Sequence, residues 1–357
     1  MKIYDLPTPA LIADADILEA NLRAMAELLR GKPAGLRPHY KSHKCAALAK
    51  RQMAAGAVGM TCAKLSEAED LIFSGVGDVL IANQIVEPAK LSRLAVLAGY
   101  CRLTVCVDDE ENAEALSRAA VAAGNRIHCL VEYDIGMRRC GARTPETCLR
   151  VARAVDRLPN LSLEGLQAYA GYASHMADPM ERQAVTRVNE GKVAEMVRLL
   201  REEGLPVPTV SGGSTGTAAL KAEGGVYTEL QAGSYLFMDS TYRHLDVPFR
   251  NSLFVLATVV SRSGDAVILD VGVKGLGADQ EDPVLLTPEG KPLGGRVELN
   301  EEHLKLFDSG WTPALGEKVR IIPGHCCTTV NLYDALYLYR KDVLEERIPV
   351  TARGMSR

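Results

Sequence analysis

Three short stretches carry side chains able to do chemistry. Arg37-Pro38-His39-Tyr40-Lys41-Ser42-His43-Lys44 packs two lysines and two histidines into six residues. A lysine desolvated at the end of a strand becomes a usable amine nucleophile or base, and Lys41 is the candidate. The alternative is a solvated basic loop, the usual fate of lysine. Ser211-Gly212-Gly213-Ser214-Thr215-Gly216-Thr217 and Ala232-Gly233-Ser234-Tyr235 are glycine-rich, hydroxyl-bearing turns. Leading into helices, such turns present backbone N–H groups to an anion, although either could be a plain flexible turn. His325-Cys326-Cys327 offers imidazole and thiolate two positions apart, on one side of an extended segment. That pair suits zinc, with positions left open for water or substrate; a buried histidine beside inert thiols is the rival reading. A fourth stretch, Glu132 to Gly141, holds an arginine able to pair with an acidic ligand oxygen or simply with Asp134.

What positions these residues is an alternation of helices and short apolar runs. Helical spacing predicts helices over 15–29, 45–55, 64–74, 88–98, 110–123, 145–158, 178–203 and about 214–222. Strand candidates fall between them at 36–40, 59–63, 79–82, 103–107, 127–133, 163–169, 209–211 and 228–230. Eight strand–helix units over about 240 residues fit a closed (β/α)8 barrel of the TIM type. A doubly wound sheet is less suitable, since no G-x-G-x-x-G follows the first strand. After residue 245 long helical patterns vanish, and short strands at 253–261, 266–271, 283–286, 318–322 and 335–339 predict a second, mostly β domain. The expected division is 13–244 for the α/β barrel, and 1–12 plus 245–357 for the β domain, which the strand-like start at 2–12 could join.

Composition narrows the partners. The chain has 357 residues, 41 Lys+Arg against 45 Asp+Glu and a net charge of −4, so it gives no electrostatic case for nucleic acid or an anionic membrane. Apolar runs fall far short of a membrane span. Acids at Asp5, Asp14 and Asp16 argue against a secretory leader, and a cytoplasmic protein is expected. Nine cysteines, an odd number without a C-x-x-C pair, do not read as a disulfide framework. In a barrel the C-terminal strand ends face the active site, and phosphate is often held after strands seven and eight. A lysine at strand one and a phosphate at strands seven and eight together suggest pyridoxal phosphate held as a Schiff base.

These stretches resemble the fold-type III pyridoxal phosphate enzymes, in the branch of D-threonine aldolase and the metal-dependent D-serine dehydratases, which have an alanine racemase-like N-terminal barrel. The resemblance runs from Leu6-Pro7-Thr8-Pro9-Ala10-Leu11 through RPHYKSHK, EYDIGMRRCG, Gly165–Tyr169 and SGGSTGT. It ends with PGHCCTTVNLYD and Val350–Gly354. It implies that Lys41 carries the cofactor, that Arg139 lies near its phenolic oxygen and that Tyr169 sits close to the ring. Ser211, Gly212, Gly213, Gly233, Ser234 and Tyr235 would hold the phosphate. His325 and Cys327 would bind a divalent metal, zinc first, with manganese or magnesium as alternatives. A homodimer acting on a small D-amino acid is the assembly it implies.

The chain departs from the aldolase pattern twice. It has His325-x-Cys327 where aldolases of the branch resemble one another in His-x-Asp, and Ala170 where they often have histidine. Two fates compete for a D-β-hydroxy-α-amino acid. Elimination removes the Cα proton and expels the β-hydroxyl, a poor leaving group that a Lewis acid assists. Retro-aldol cleavage needs the hydroxyl proton removed, and Ala170 takes away one base for that. The expectation therefore leads with a dehydratase or ammonia-lyase, acting on D-serine, D-threonine or 3-hydroxy-D-aspartate with Lys41 as the Cα base. D-threonine aldolase is the runner-up, followed by an amino-acid racemase or a non-catalytic pyridoxal phosphate-binding protein.

Overall fold

The computed structural model describes residues 1–357, the side chain of Ser263 apart. The chain divides into two compact units. One comprises residues 26–41, 48–233 and 355–357; the other comprises 1–25, 42–47 and 234–354. The second unit thus includes Ala13 to Met25, Ser42 to Ala47 and Ser234 to His244, beyond the 1–12 and 245–357 expected from sequence.

The second unit opens with β1 (Ala10–Asp14), and α1 (Ala15–Leu29) runs from it into the barrel unit. In the barrel unit, β2 (Gly35–Leu36), β3 (Met60–Cys62), β4 (Asp78–Ile81), β5 (Arg102–Val107), β6 (Ile127–Glu132), β7 (Leu161–Ala168), β8 (Thr209–Gly212) and β9 (Glu229–Leu230) form one parallel sheet, ordered β2-β9-β8-β7-β6-β5-β4-β3. The two ends of that order meet. Thr61 N donates to Pro38 O at 2.9 Å, Val58 N donates to Leu36 O at 2.8 Å, and His39 and Thr61 form a parallel bridge. The sheet therefore closes on itself as the (β/α)8 barrel expected from the repeat of elements. Crossover helices are α2 (Ala46–Ala54), α3 (Leu65–Phe73), α4 (Pro88–Leu97), α5 (Glu110–Ala123), α6 (Pro145–Arg157), α7 (Pro179–Glu202) and α8 (Ala218–Gly224).

Local sequence accounts for many of these boundaries. Asp109 accepts from Glu111 N to start α5, and Gly124 ends it at φ 66°. Thr144 and Asp178 cap α6 and α7 in the same way, each followed by proline at the first helical position. The first barrel strand is shorter than its apolar run predicts. Pro38 has no N–H to give a ladder, so the regular strand β2 stops at Leu36; beyond it Arg37 N donates to Leu230 O, Pro38 O accepts from Thr61 N, and His39 makes an isolated bridge.

The N-terminal ends of the strands are tied by charge. Arg37 donates from Nη1 to Asp78 at 2.7 Å and from Nε to Glu229 at 2.8 Å. Arg102 reaches Glu164 at 2.7 Å, and His128 Nδ1 lies 2.6 Å from the same carboxylate. Gly59, just before β3, lets Arg37 pass: a Cβ there would lie 2.1 Å from Arg37 Nη1.

In the β unit a mixed sheet runs β13-β14-β11-β10-β1-β16-β17, with β15 also on β10 and β12 on β15. The strands are β10 (Leu253–Ser263), β11 (Ala266–Leu269), β12 (Val284–Leu286), β13 (Arg296–Leu299), β14 (Leu304–Phe307), β15 (Lys318–Ile322), β16 (Ala335–Arg340) and β17 (Val343–Pro349). β1 pairs antiparallel with β10 (Ile12 opposite Phe254) and parallel with β16 (Ile12 opposite Tyr337). Ile3, Leu6, Ile12, Phe254, Leu256 and Tyr339 share one buried cluster of this unit. Among the described residues no helix is long and apolar enough to cross a membrane, and all nine cysteines are free thiols.

Candidate active site

The predicted site residues are shared between the two units. Lys41, Arg139, Tyr169, Ser211, Gly212, Gly213 and Gly233 belong to the barrel unit; Ser234, Tyr235, His325 and Cys327 belong to the β unit. Two of the places where the chain passes between units fall inside predicted motifs, at Lys41–Ser42 and Gly233–Ser234.

Lys41 sits on a 3-10 turn, Tyr40–Ser42, that follows the His39 bridge. It is exposed, not desolvated at a strand end as expected, because the strand has already ended at Pro38. The turn is anchored by Tyr40, fully buried, whose hydroxyl bonds the Asp70 carboxylate on α3.

At the end of β8, Ser211 is fully buried and its hydroxyl accepts from Gln231 Nε2 at 2.7 Å. The same amide nitrogen donates to Gln167 Oε1 at 2.6 Å. This leaves the Ser211 O–H proton for another acceptor. The next two residues must be glycine on steric grounds. A Cβ at Gly212 would lie 2.1 Å from Ala168 O, and Gly213 has φ +78° with Lys221 Cδ 3.0 Å from the Cβ position. Ser214 closes the turn: its N donates to Thr217 Oγ1 at 3.2 Å. A hydroxyl, two glycines and a serine at the C-terminal end of β8 suit a phosphate monoester.

Tyr169, half-buried at the end of β7, has the Arg139 guanidinium 5.8 Å from its ring centroid. Asp134 is not the partner of that arginine in the way a strand-end ion pair would require. Its carboxylate instead accepts the backbone N–H groups of Gly136 (2.9 Å) and Arg138 (3.0 Å), shaping the turn. Glu132, buried beneath it, accepts from Gln84 Nε2 at 2.6 Å, and burial pushes its carboxyl up.

In the β unit, His325-Cys326-Cys327 is not extended, contrary to expectation. His325 is the N-cap of a one-turn helix, α9 (Cys326–Val330). The helix forms because the buried Asp239 carboxylate accepts Cys326 N at 2.9 Å and Thr329 Oγ1 donates back to His325 O at 2.7 Å. The His325 ring and the Cys327 thiol still meet. Burial lowers the pKa of His325, but hydrogen bonding and charge from Cys327, then Asp279, outweigh it and hold the imidazole at about 9. His325 Nδ1 lies 2.7 Å from Asp279 Oδ2, and Thr328 Oγ1 donates to the other oxygen of that carboxylate at 2.7 Å. His325 and Cys327 stand as a pair, with Asp279 on the Nδ1 side of the ring; among the described residues no group of three or more His, Cys, Asp or Glu side chains is gathered as a metal site. Cys327 Sγ lies 3.6 Å from the hydroxyl of Ser42, the residue after Lys41 in the chain, and 3.9 Å from that of Ser234. Tyr235 is buried against Phe249, centroid to centroid 5.5 Å.

Sequence reasoning missed Asp239, Asp279, Gln167 and Gln231. None has a local signal: Asp279 meets His325 across 46 residues and Asp239 meets Cys326 across 87.

Comparison with known proteins gives the family. Residues 13–241 match the family model "Alanine racemase, N-terminal domain", and residues 252–339 match "Putative serine dehydratase domain". The chain is 42% identical to D-threonine aldolase of an Arthrobacter species, over 98% of this chain and 93% of that one. The crystal structure of D-threonine aldolase from Filomicrobium marinum superposes with a TM-score of 0.96 at 42% identity, covering 100% and 98% of the two chains. D-threo-3-hydroxyaspartate dehydratase from Delftia sp. HT23 matches with a TM-score of 0.89 at 27% identity, covering 98% of both; a cysteine-to-alanine variant of it is described as a metal-free form. The chain belongs to the alanine racemase-like family of lyases that contains D-threonine aldolase and the D-hydroxy amino acid dehydratases.

Proposed function

We propose that this lyase cleaves a D-β-hydroxy-α-amino acid by a retro-aldol reaction, giving glycine and an aldehyde. The observation that carries this reading is similarity to D-threonine aldolase at 42% identity over nearly the whole of both chains. Elimination, which the sequence put first, is kept as the second reading because of His325-x-Cys327. The thiol distinguishes this chain from the His-x-Asp pattern, and a cysteine-to-alanine mutant of the dehydratase is known in a metal-free form.

In this reading the cofactor is pyridoxal phosphate, joined to Lys41 and held by its phosphate at Ser211, Gly212, Gly213, Gly233 and Ser234. Bound there, it supplies an electron sink for negative charge at Cα. His325 and Cys327 hold a divalent metal that supplies a Lewis acid for the β-oxygen, with zinc favoured by the thiolate. The residues then do the rest. Tyr169 and Arg139 bound the ring and Ser211 donates a hydrogen bond to the phosphate; the β-hydroxyl, acidified by a metal at His325 and Cys327, can pass its proton to water, and the protonated Lys41 amine gives a proton to Cα once the Cα–Cβ bond has broken. Asp279 fixes the orientation of His325 so that its other ring nitrogen is presented with Cys327.

Incubation of the holoenzyme with D-threonine, D-serine and 3-hydroxy-D-aspartate tests the choice. Glycine and aldehyde without ammonia are expected. Ammonia with a 2-oxo acid overturns cleavage in favour of elimination, and recovery of only the inverted amino acid overturns both. A homodimer in the cytoplasm belongs to the same proposal; light scattering reads the first part.

A further inference from the structure

Behind the glycine turn lies a lysine that the reaction does not use. Lys221 on α8 is 2% exposed, and its Nζ has no hydrogen-bond partner among the described residues. A buried ammonium without partners is rare and costly. Its stem meets Gly213, where a Cβ would lie 3.0 Å from Lys221 Cδ and 3.9 Å from Cε. Its ammonium lies 3.7 Å from the ring centroid of Tyr227. Tyr227 in turn touches Gly212, whose Cβ would be 2.8 Å from Tyr227 Cε1, and donates to Ala168 O at 3.1 Å, one residue before Tyr169. Lys221 and Tyr227 thus form a common backing for both glycines of the turn.

We propose that Lys221 is a cofactor-affinity determinant: its stem sets the curve of Gly213, and its ammonium supplies positive charge behind the cradle for the phosphate monoester of pyridoxal phosphate. The inference rests on the reading of Ser211–Gly213 as a phosphate site. Glu190 on α7 is the neighbouring opposite charge, with Arg187 on the same helix beyond it. Lys221 and Glu190 are not hydrogen-bonded to each other: Lys221 Nζ and Glu190 Oε1 both lack hydrogen-bond partners among the described residues. Burial pulls the Lys221 ammonium down to about 7, with Glu190 opposing. A phosphate dianion beyond Gly213 acts in the same sense as Glu190 and favours the charged form.

The test compares affinities of the apoenzyme for pyridoxal 5′-phosphate and for pyridoxal, read by absorbance and fluorescence titration. Wild type is expected to prefer the phosphorylated form. If it shows no preference, the phosphate-site reading fails whatever Lys221 does. Given that preference, K221M is expected to lose it by about tenfold or more, with pyridoxal affinity unchanged, and K221R to restore most of it. E190Q, read in the K221R background where the charge does not titrate, separates charge from scaffolding: an equal or greater preference for the phosphate is expected. A folded K221M with the full wild-type preference overturns the proposal. Should K221M fail to fold, the K221R and K221R/E190Q pair decides, a loss of the preference in both overturning the role of charge.

Discussion

The two ends of the barrel treat polar groups in opposite ways. Toward the N-terminal ends of the strands, the Arg37 guanidinium joins Glu229 and Asp78 and Arg102 joins Glu164 through carboxylate–cation contacts of 2.7–2.8 Å, with the His128 ring 2.6 Å from Glu164. A further Arg102–Asp78 contact of 3.6 Å completes the run. Each charge there meets an opposite one. At the C-terminal ends, the turn after β8 has hydroxyls, amides and glycines, and the groups behind it lack hydrogen bonds: Lys221 Nζ, Glu190 Oε1 and Thr186 Oγ1 are buried without hydrogen-bond partners among the described residues. A chain of ion pairs ties neighbouring strands together but offers nothing to a ligand. A cradle of neutral donors over a buried cation is poised for an anion. One end of the fold is thus built for persistence and the other for binding.

The largest effect that tests this division is Lys41→Ala. Lys41 is exposed on its turn, so its loss is expected to shift unfolding free energy by no more than about 0.5 kcal/mol. Turnover is expected to fall by at least about 10³-fold, and the visible-edge absorbance of enzyme-linked pyridoxal phosphate to disappear. An unchanged spectrum would remove Lys41 from the site.

Arg37→Met is its counterpart at the other end. The Arg37 side chain is 10% exposed and serves two carboxylates, so removal leaves Glu229 uncompensated and Asp78 with only its longer contact to Arg102. Breaking a buried pair in this way costs about 3–5 kcal/mol, to be read by urea denaturation, while kcat per folded molecule stays at the wild-type value. A variant that kept its stability but lost kcat would break the comparison, since the strand-base network would then belong to the reaction.

Legibility in the sequence follows the same division into local and distant causes. α5, α6 and α7 are visible because Asp109, Thr144-Pro145 and Asp178-Pro179 mark their starts within a few residues. The glycine turn is visible because its run of glycines and hydroxyls marks it directly, although the atoms that demand glycine there, Ala168 O at Gly212 and Lys221 Cδ at Gly213, come from elsewhere in the chain. β17 is hidden because Glu345, Glu346 and Arg347 give it a polar face at a sheet edge, and β13 because its residues are only half-buried. The helical geometry at Cys326 is hidden because the carboxylate that induces it, Asp239, is distant in the chain. Lys221 reads as an ordinary charged residue on a short helix; only the closing of the barrel reveals that Gly213 and Tyr227 cover it.

The pH dependence of stability sharpens the contrast at intermediate size. Lys221 titrates near 7 in the folded chain and at about 10.5 unfolded, so the unfolded state binds more protons between these values. Its contribution to stability is therefore full above about pH 10.5 and is lost as pH falls toward 7, with a slope of at most about 1.4 kcal/mol per pH unit. Lys221→Met is expected to be more stable than wild type at pH 7, and the difference to shrink as pH rises to 9. Parallel stability curves for the two proteins would show that Lys221 keeps its ordinary proton affinity, and the charge behind the cradle would then lack its desolvated character.

The smallest expected effect lies within the ion-pair network itself. Arg102 makes contacts of the same kind as Arg37, to Glu164 at 2.7 Å and Asp78 at 3.6 Å, yet its side chain is 42% exposed. Water screens such a pair and solvates the carboxylates when the arginine is gone. His128 and Ser162 also remain on Glu164, at 2.6 and 2.9 Å. Arg102→Gln is therefore expected to cost about 0.2–1 kcal/mol, several times less than Arg37→Met, and to lose even that in high salt. If denaturation instead showed equal costs for the two arginines, burial would not be what gives this end of the barrel its strength, and the network would have to be treated as one cooperative unit.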